Sequence, residues 1–194
     1  MDVIVLHFFW VVCSLPIVTF GPATTALYFS IMKTVDDKEA HYYRAFFKSF
    51  KQNLKQGIPL GLMFLGIEAA LLYTFVLCSR AMDLNALFPF IRIVALVFAV
   101  LVLMVFTYVF ALQARFNNTI RQTLQNAAVL MVQKLGWSMV MTAILIGWYV
   151  LFYFFFFYIF PLVILGFGLV VFAQSFILNR IFQPYIEELE GESE

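Results

Sequence analysis

The chain has 194 residues, 64% of them hydrophobic and only 12% charged, with a formal net charge of +1. Soluble domains run at roughly 45–50% apolar and about 25% charged, so the few charges here cannot cover a water-exposed surface and the surplus apolar area calls for lipid. No basic stripe with interleaved aromatics marks a nucleic-acid partner, and Cys13 and Cys78 stand alone in apolar segments without metal-ligand spacing.

The first apolar stretch, residues 3–15, is about 20 Å long as a helix, short of the ~30 Å bilayer core. It lacks the basic start and small-residue cleavage site of a signal peptide and is read as retained. Pro16 interrupts it, and Gly21 and Pro22 interrupt again before a second short segment, 22–33, with Pro22 suited to a first helical turn. Two layouts fit this break: a hairpin of two short helices, or one kinked span. The hairpin is adopted, which makes about six membrane segments in an all-α, polytopic helical bundle.

Residues 43–56 read as an amphipathic helix. Phe46, Phe47, Phe50 and Leu54 form one face, and Lys48, Lys51, Gln52 and Lys55 the other. Residues 57–79 and 90–112 are full-length spans. Residues 119–134 form a second amphipathic helix, with Ile120, Leu124, Ala128 and Met131 opposite Arg121, Gln122, Gln125 and Gln133. Spans 136–160 and 161–180 follow, and residues 187–194 read as a solvated, frayed acidic tail. Backbone groups in lipid must be satisfied within the segment, so the spans are helices. Each amphipathic helix ends near a glycine, Gly57 or Gly136, that opens the next span, which raises the possibility of two repeated halves. Lys and Arg gather in residues 33–55 and 113–136, while the intervening loop holds only Arg80. The positive-inside rule therefore expects these regions and the C-terminus in the cytoplasm.

Catalytic and cofactor-binding constellations are missing: no HExxH, GxSxG or phosphate-cradling loop occurs, so neither an enzyme nor a metal or cofactor protein is expected. Glu68 is the exception among the membrane residues. It sits near the middle of span 57–79, where an ionised carboxylate costs several kcal/mol unless paired or hydrated. It reads either as a proton or cation site or as a hydrogen-bonded structural group, with Gln174 as a candidate partner. Gly57 and Gly61 form a GxxxG element suited to close helix packing. The aromatic run 148–160 fits an interface belt.

Several strings are specific in combination: CSLPIVTFGPA at 13–23, ALY at 26–28, RAFFKSFKQN at 44–53, ARFNNT at 114–119 and TLQNA at 123–127. Together they resemble the YesL family of bacterial membrane proteins, a family with a domain of unknown function. The resemblance implies a non-catalytic accessory subunit working beside the permease and ATPase subunits of a carbohydrate ABC importer. Family members often carry further residues before the position of Asp2. Candidate docking or interfacial residues are Arg44, Phe47, Lys48, Lys51, Lys55, Arg115, Asn118 and Arg121. Pro16, Gly21 and Pro22 form the structural break. A small autonomous transporter using Glu68, or a lipid-interacting scaffold, are the alternative readings.

Overall fold

A computed structural model describes residues 2–36, 42–81, 87–155 and 160–191, and these contain helices and no strand. The α-helices are α1 (Asp2–Ser14), α2 (Phe20–Asp36), α3 (Tyr42–Arg80), α4 (Leu87–Arg115), α5 (Ile120–Gln133), α6 (Leu135–Phe155) and α7 (Phe160–Gly191). Among the described residues, α3 and α4 are each long and apolar enough to cross a bilayer, and α5 with α6 makes a third span if the bent pair is counted as one. Large apolar side chains on α3 and α4, such as Leu72, Tyr73, Val97 and Phe98, point outward. A water-exposed surface does not tolerate such a continuous apolar belt. The protein is a helical membrane protein.

The amino-terminal break is built around Pro16. Its missing N–H cannot extend α1, and a single 3-10 turn, Ile17–Thr19, follows. The Thr19 hydroxyl lies 2.6 Å from the Cys13 carbonyl and 2.8 Å from the Pro16 carbonyl, capping acceptors that the helix end leaves open. The chain then doubles back. Trp10 Nε1 donates to Thr24 Oγ1 at 3.1 Å, although fourteen residues along a straight helix would separate them by about 21 Å. The two short helices thus form a hairpin.

Helix α2 is the centre of the bundle. Ala23, Thr24, Thr25, Ala26, Leu27 and Tyr28 are all buried, enclosed by α1, α3, α4 and α7. Its start crosses α3 at backbone distance. A Cβ on Gly21 would overlap the Gly57 carbonyl oxygen, one on Gly61 would lie 2.7 Å from the Gly21 nitrogen, and one on Gly57 would lie 2.8 Å from the Pro22 nitrogen. The GxxxG element therefore serves packing within the chain.

Three expectations need correction. First, the amphipathic segment 43–56 and the span 57–79 are one continuous helix of 39 residues, about 58 Å long. Gly57 ends a helix only if it turns to positive φ, and no described glycine does so. The close approach of α2 explains the glycine instead. Second, α5 does break before α6, with a bend of 103°. Ser138 stabilises this elbow: its hydroxyl lies 3.0 Å from the Lys134 and Met131 carbonyls and 3.0 Å from the Tyr108 hydroxyl. One unit is continuous and the other bent, so the two do not repeat one design. Third, α7 continues through Pro184 to Gly191, so residues 187–191 extend a helix where a frayed tail was expected; residues 192–194 lie outside the described residues.

The apolar stripes also shift. In α5 the buried positions are Thr123, Ala127 and Leu130, and Ala128 is exposed. The buried face is set by where α4 packs, one position away from the most hydrophobic line. The start of α5 is as expected: Thr119 and Gln122 form a reciprocal capping box.

Candidate functional site

At the end of the bundle where most cations lie, α3 and the α4–α5 connection enclose a cavity of about 590 Å³, within the size range of small-ligand and peptide pockets. Ser49, Gln52, Asn53 and Gln56 come from α3, Gln113 and Arg115 from the end of α4, and Asn117, Asn118 and Thr119 from the connection. The α3 residues fall at helical spacing on one face. The α4–α5 connection is held against them because Phe116 packs on Phe182 of α7, with ring centroids 5.6 Å apart.

Gln113 forms the floor. It is 6% exposed, and its Oε1 accepts from the Thr25 hydroxyl at 2.9 Å. The same hydroxyl lies 3.1 Å from the Gly21 carbonyl. The single Thr25 proton serves one acceptor at a time, so one carboxamide atom of Gln113 stays open in either case. Its Nε2 has no partner among the described residues. An unpaired buried amide costs about 1–3 kcal/mol, so an incoming acceptor gains by meeting it.

The lining decides what the cavity can hold. It contains neither carboxylate nor histidine, and among the described residues no group of three His, Cys, Asp or Glu could hold a metal. At the N-terminus of α5 the capping box takes up the Thr119 and Gln122 N–H groups. What remains, beside the Arg115 guanidinium, is a set of carboxamides that donate and accept together. That set matches an uncharged hydrogen-bonding group such as a peptide backbone.

The candidate docking residues divide into two sets. Arg115 and Asn118 line the cavity. Arg44, Lys48, Lys51 and Lys55 are exposed on α3, at spacings that stack them in one stripe beside it. Like charges four apart on a helix are mutually destabilising, so this stripe is a local cost; Arg44 rests over the Tyr43 ring at 5.8 Å, and no ion pair joins the stripe among the described residues. Arg121 is exposed in the first turn of α5. Phe47 was expected on the apolar face, yet it is 41% exposed; its ring meets Phe9 at 5.2 Å, because the short α1 reaches only one edge of α3. Pro16, Gly21 and Pro22 belong to the hairpin and the crossing and stand apart from the cavity. The sequence reading left Gln56, Gln113 and Asn117 out of the site. Their signal was an excess of uncharged amides at the ends of two consecutive spans.

Glu68 and Gln174 do not pair. Gln174 accepts from the Tyr28 hydroxyl and donates to the Met141 carbonyl at 3.1 Å, which occupies both ends of its amide within the α2–α6–α7 core. Glu68 is half-buried on α3, and its Oε1 has no hydrogen-bond partner among the described residues. A carboxyl at membrane depth with an unpartnered buried oxygen is a stability cost. Glu68→Leu is expected to raise stability by about 1–2 kcal/mol, read as a higher melting temperature in detergent. A loss of stability of that size would show that the carboxyl is structurally engaged.

An all-helical membrane protein with an amide-lined cavity at its basic end is thus the class that fold and site define. A family model described as a protein of unknown function, DUF624, the designation of the YesL family, matches residues 3–75. The match takes in the hairpin, the α2–α3 crossing and the α3 side of the cavity. No curated protein and no solved structure matches the chain.

Proposed function

We propose that this chain is a non-catalytic accessory membrane subunit that works beside the permease and ATPase subunits of a carbohydrate ABC importer. In this reading the protein sits in the bacterial plasma membrane with six membrane segments: the short hairpin α1–α2, then α3, α4, α6 and α7. The basic end and the C-terminus face the cytoplasm.

The observation that supports it is the convergence of two motif strings, 44–53 and 114–119, on the one amide-lined cavity, flanked by the basic stripe of α3. At about 58 Å, α3 exceeds the ~30 Å hydrocarbon core by nearly its own basic half. A rigid extension of this kind carries a docking surface past the lipid headgroups. The stripe steers an acidic partner surface, and the carboxamides receive the backbone of a partner loop.

Affinity purification of the tagged chain from native membranes in mild detergent is the test. Permease and ATPase subunits of a sugar importer are expected with it. The fourfold variant Arg44→Glu, Lys48→Glu, Lys51→Glu and Lys55→Glu is expected to lower their recovery at least tenfold. Recovery of no transporter component, or full recovery with the fourfold variant, would overturn the reading.

A further inference from the structure

A second feature of the basic end lies away from the amide cavity, between the α5–α6 elbow and α7. Lys134, Trp137, Ile177, Arg180, Ile181, Pro184 and Tyr185 enclose a groove of about 260 Å³. It adjoins a shallower groove of about 390 Å³ that shares Lys134 and Trp137 and continues over Leu135, Gly136 and Val140. The first holds two cations, and the second is predominantly apolar. Lys134 and Arg180 are both exposed and make no ion pair among the described residues. The nearest described carboxylate along α7, Glu187, accepts instead from Gln183 at 3.1 Å.

We propose that these joined grooves seat one anionic phospholipid, with its phosphate between Lys134 and Arg180 and an acyl chain laid over Leu135, Gly136 and Val140. Two exposed cations with no ion pair among the described residues, at the basic end of a membrane helix bundle, present the charge that an anionic headgroup complements. Trp137 and Tyr185 are amphipathic rings that favour the headgroup level, and the Tyr185 hydroxyl is oriented by Gln133 at 3.4 Å. The 103° elbow turns α5 away from the axis of α6, so headgroup and chain contacts meet at one corner. Gly136 lines the chain groove and faces open space, since a Cβ there would meet nothing within 4 Å. A free phosphate shares the headgroup chemistry but has no use for the apolar half. This inference is independent of the accessory-subunit reading.

Native mass spectrometry of the full chain tests it, with phosphatidylglycerol and phosphatidylcholine of identical acyl chains and inorganic phosphate as a competitor. One retained phosphatidylglycerol per chain is expected, with phosphatidylcholine lost at the same collision energy. Each of Lys134→Gln and Arg180→Gln is expected to weaken retention roughly fivefold, and the double variant about thirtyfold. Arg92→Ala, at the opposite end of α4, leaves retention unchanged. Gly136→Leu fills the chain groove without touching the core, so retention falls while the melting temperature holds or rises. Equal retention of both lipids, or unchanged retention in the double variant, would overturn the proposal. Displacement of the lipid by inorganic phosphate, together with unchanged retention in Gly136→Leu, would assign the groove to free phosphate and overturn the lipid.

Discussion

Gly57→Leu is expected to abolish the folded protein, with a loss of at least ~3 kcal/mol. A Cβ at this position would stand 2.8 Å from the Pro22 nitrogen and 2.9 Å from the Pro22 ring. Backbone cannot move aside as a flexible side chain can, so α2 must lift from α3. Because α2 is the buried centre of the bundle, its displacement opens contacts to α1, α4 and α7 together. The measurement is the melting temperature and the monodisperse fraction on size exclusion in detergent. Gly66→Ala is the control, since its Cβ would meet nothing within 4 Å and removing a helix glycine stabilises by about 0.5–1 kcal/mol. If Gly57 instead served a contact between two copies, the variant would dissociate a dimer and leave the monomer folded.

Gln174→Leu carries the second large effect. The substitution is close to isosteric, yet it strands the Tyr28 hydroxyl and removes the second bond to the Met141 carbonyl, which keeps its helix bond within α6. Buried groups left unpaired cost about 1–3 kcal/mol each, whereas hydrogen bonds in membrane proteins average about 0.6 kcal/mol by double-mutant cycles. One orphaned hydroxyl and one lost bond together give an expected loss of ~2–3 kcal/mol. Desolvated orphans weigh more here because Tyr28 and Gln174 are buried at 1% and 0% exposure, where no water replaces the lost partner. Adding Tyr28→Phe removes one orphan and is expected to recover part of the loss. Thermal unfolding of the two single variants and the double variant checks this, and strict additivity would contradict it.

The long apolar runs of α4 and of the C-terminal half of α3 were legible because the bilayer imposes a length and an absence of charge that few other environments require. The Pro16 break was equally readable, since proline removes a donor whatever surrounds it. The cavity was half legible. Arg115 and Asn118 stood out as polar groups beside a span, but Gln113 did not, because a lone glutamine at a span end carries no periodic signal. The pairing of Glu68 with Gln174 failed because two polar groups in membrane spans need not face one another. α3 and α7 are separated by α2, whose Tyr28 takes the amide first.

The amino-acid sequence by itself determined the solvent of this protein, the helical state of its backbone and the end of the bundle where positive charge collects. Each of these follows from composition or from a local rule about backbone hydrogen bonding. Only the tertiary structure decided that α3 is one helix through Gly57, that Gly21 meets Gly57 and Gly61, and that amides distant in sequence close around one cavity. Those outcomes depend on which helix lies against which. A glycine reads as a break until another backbone is found pressed against it, and an amide reads as solvated until its neighbours are known.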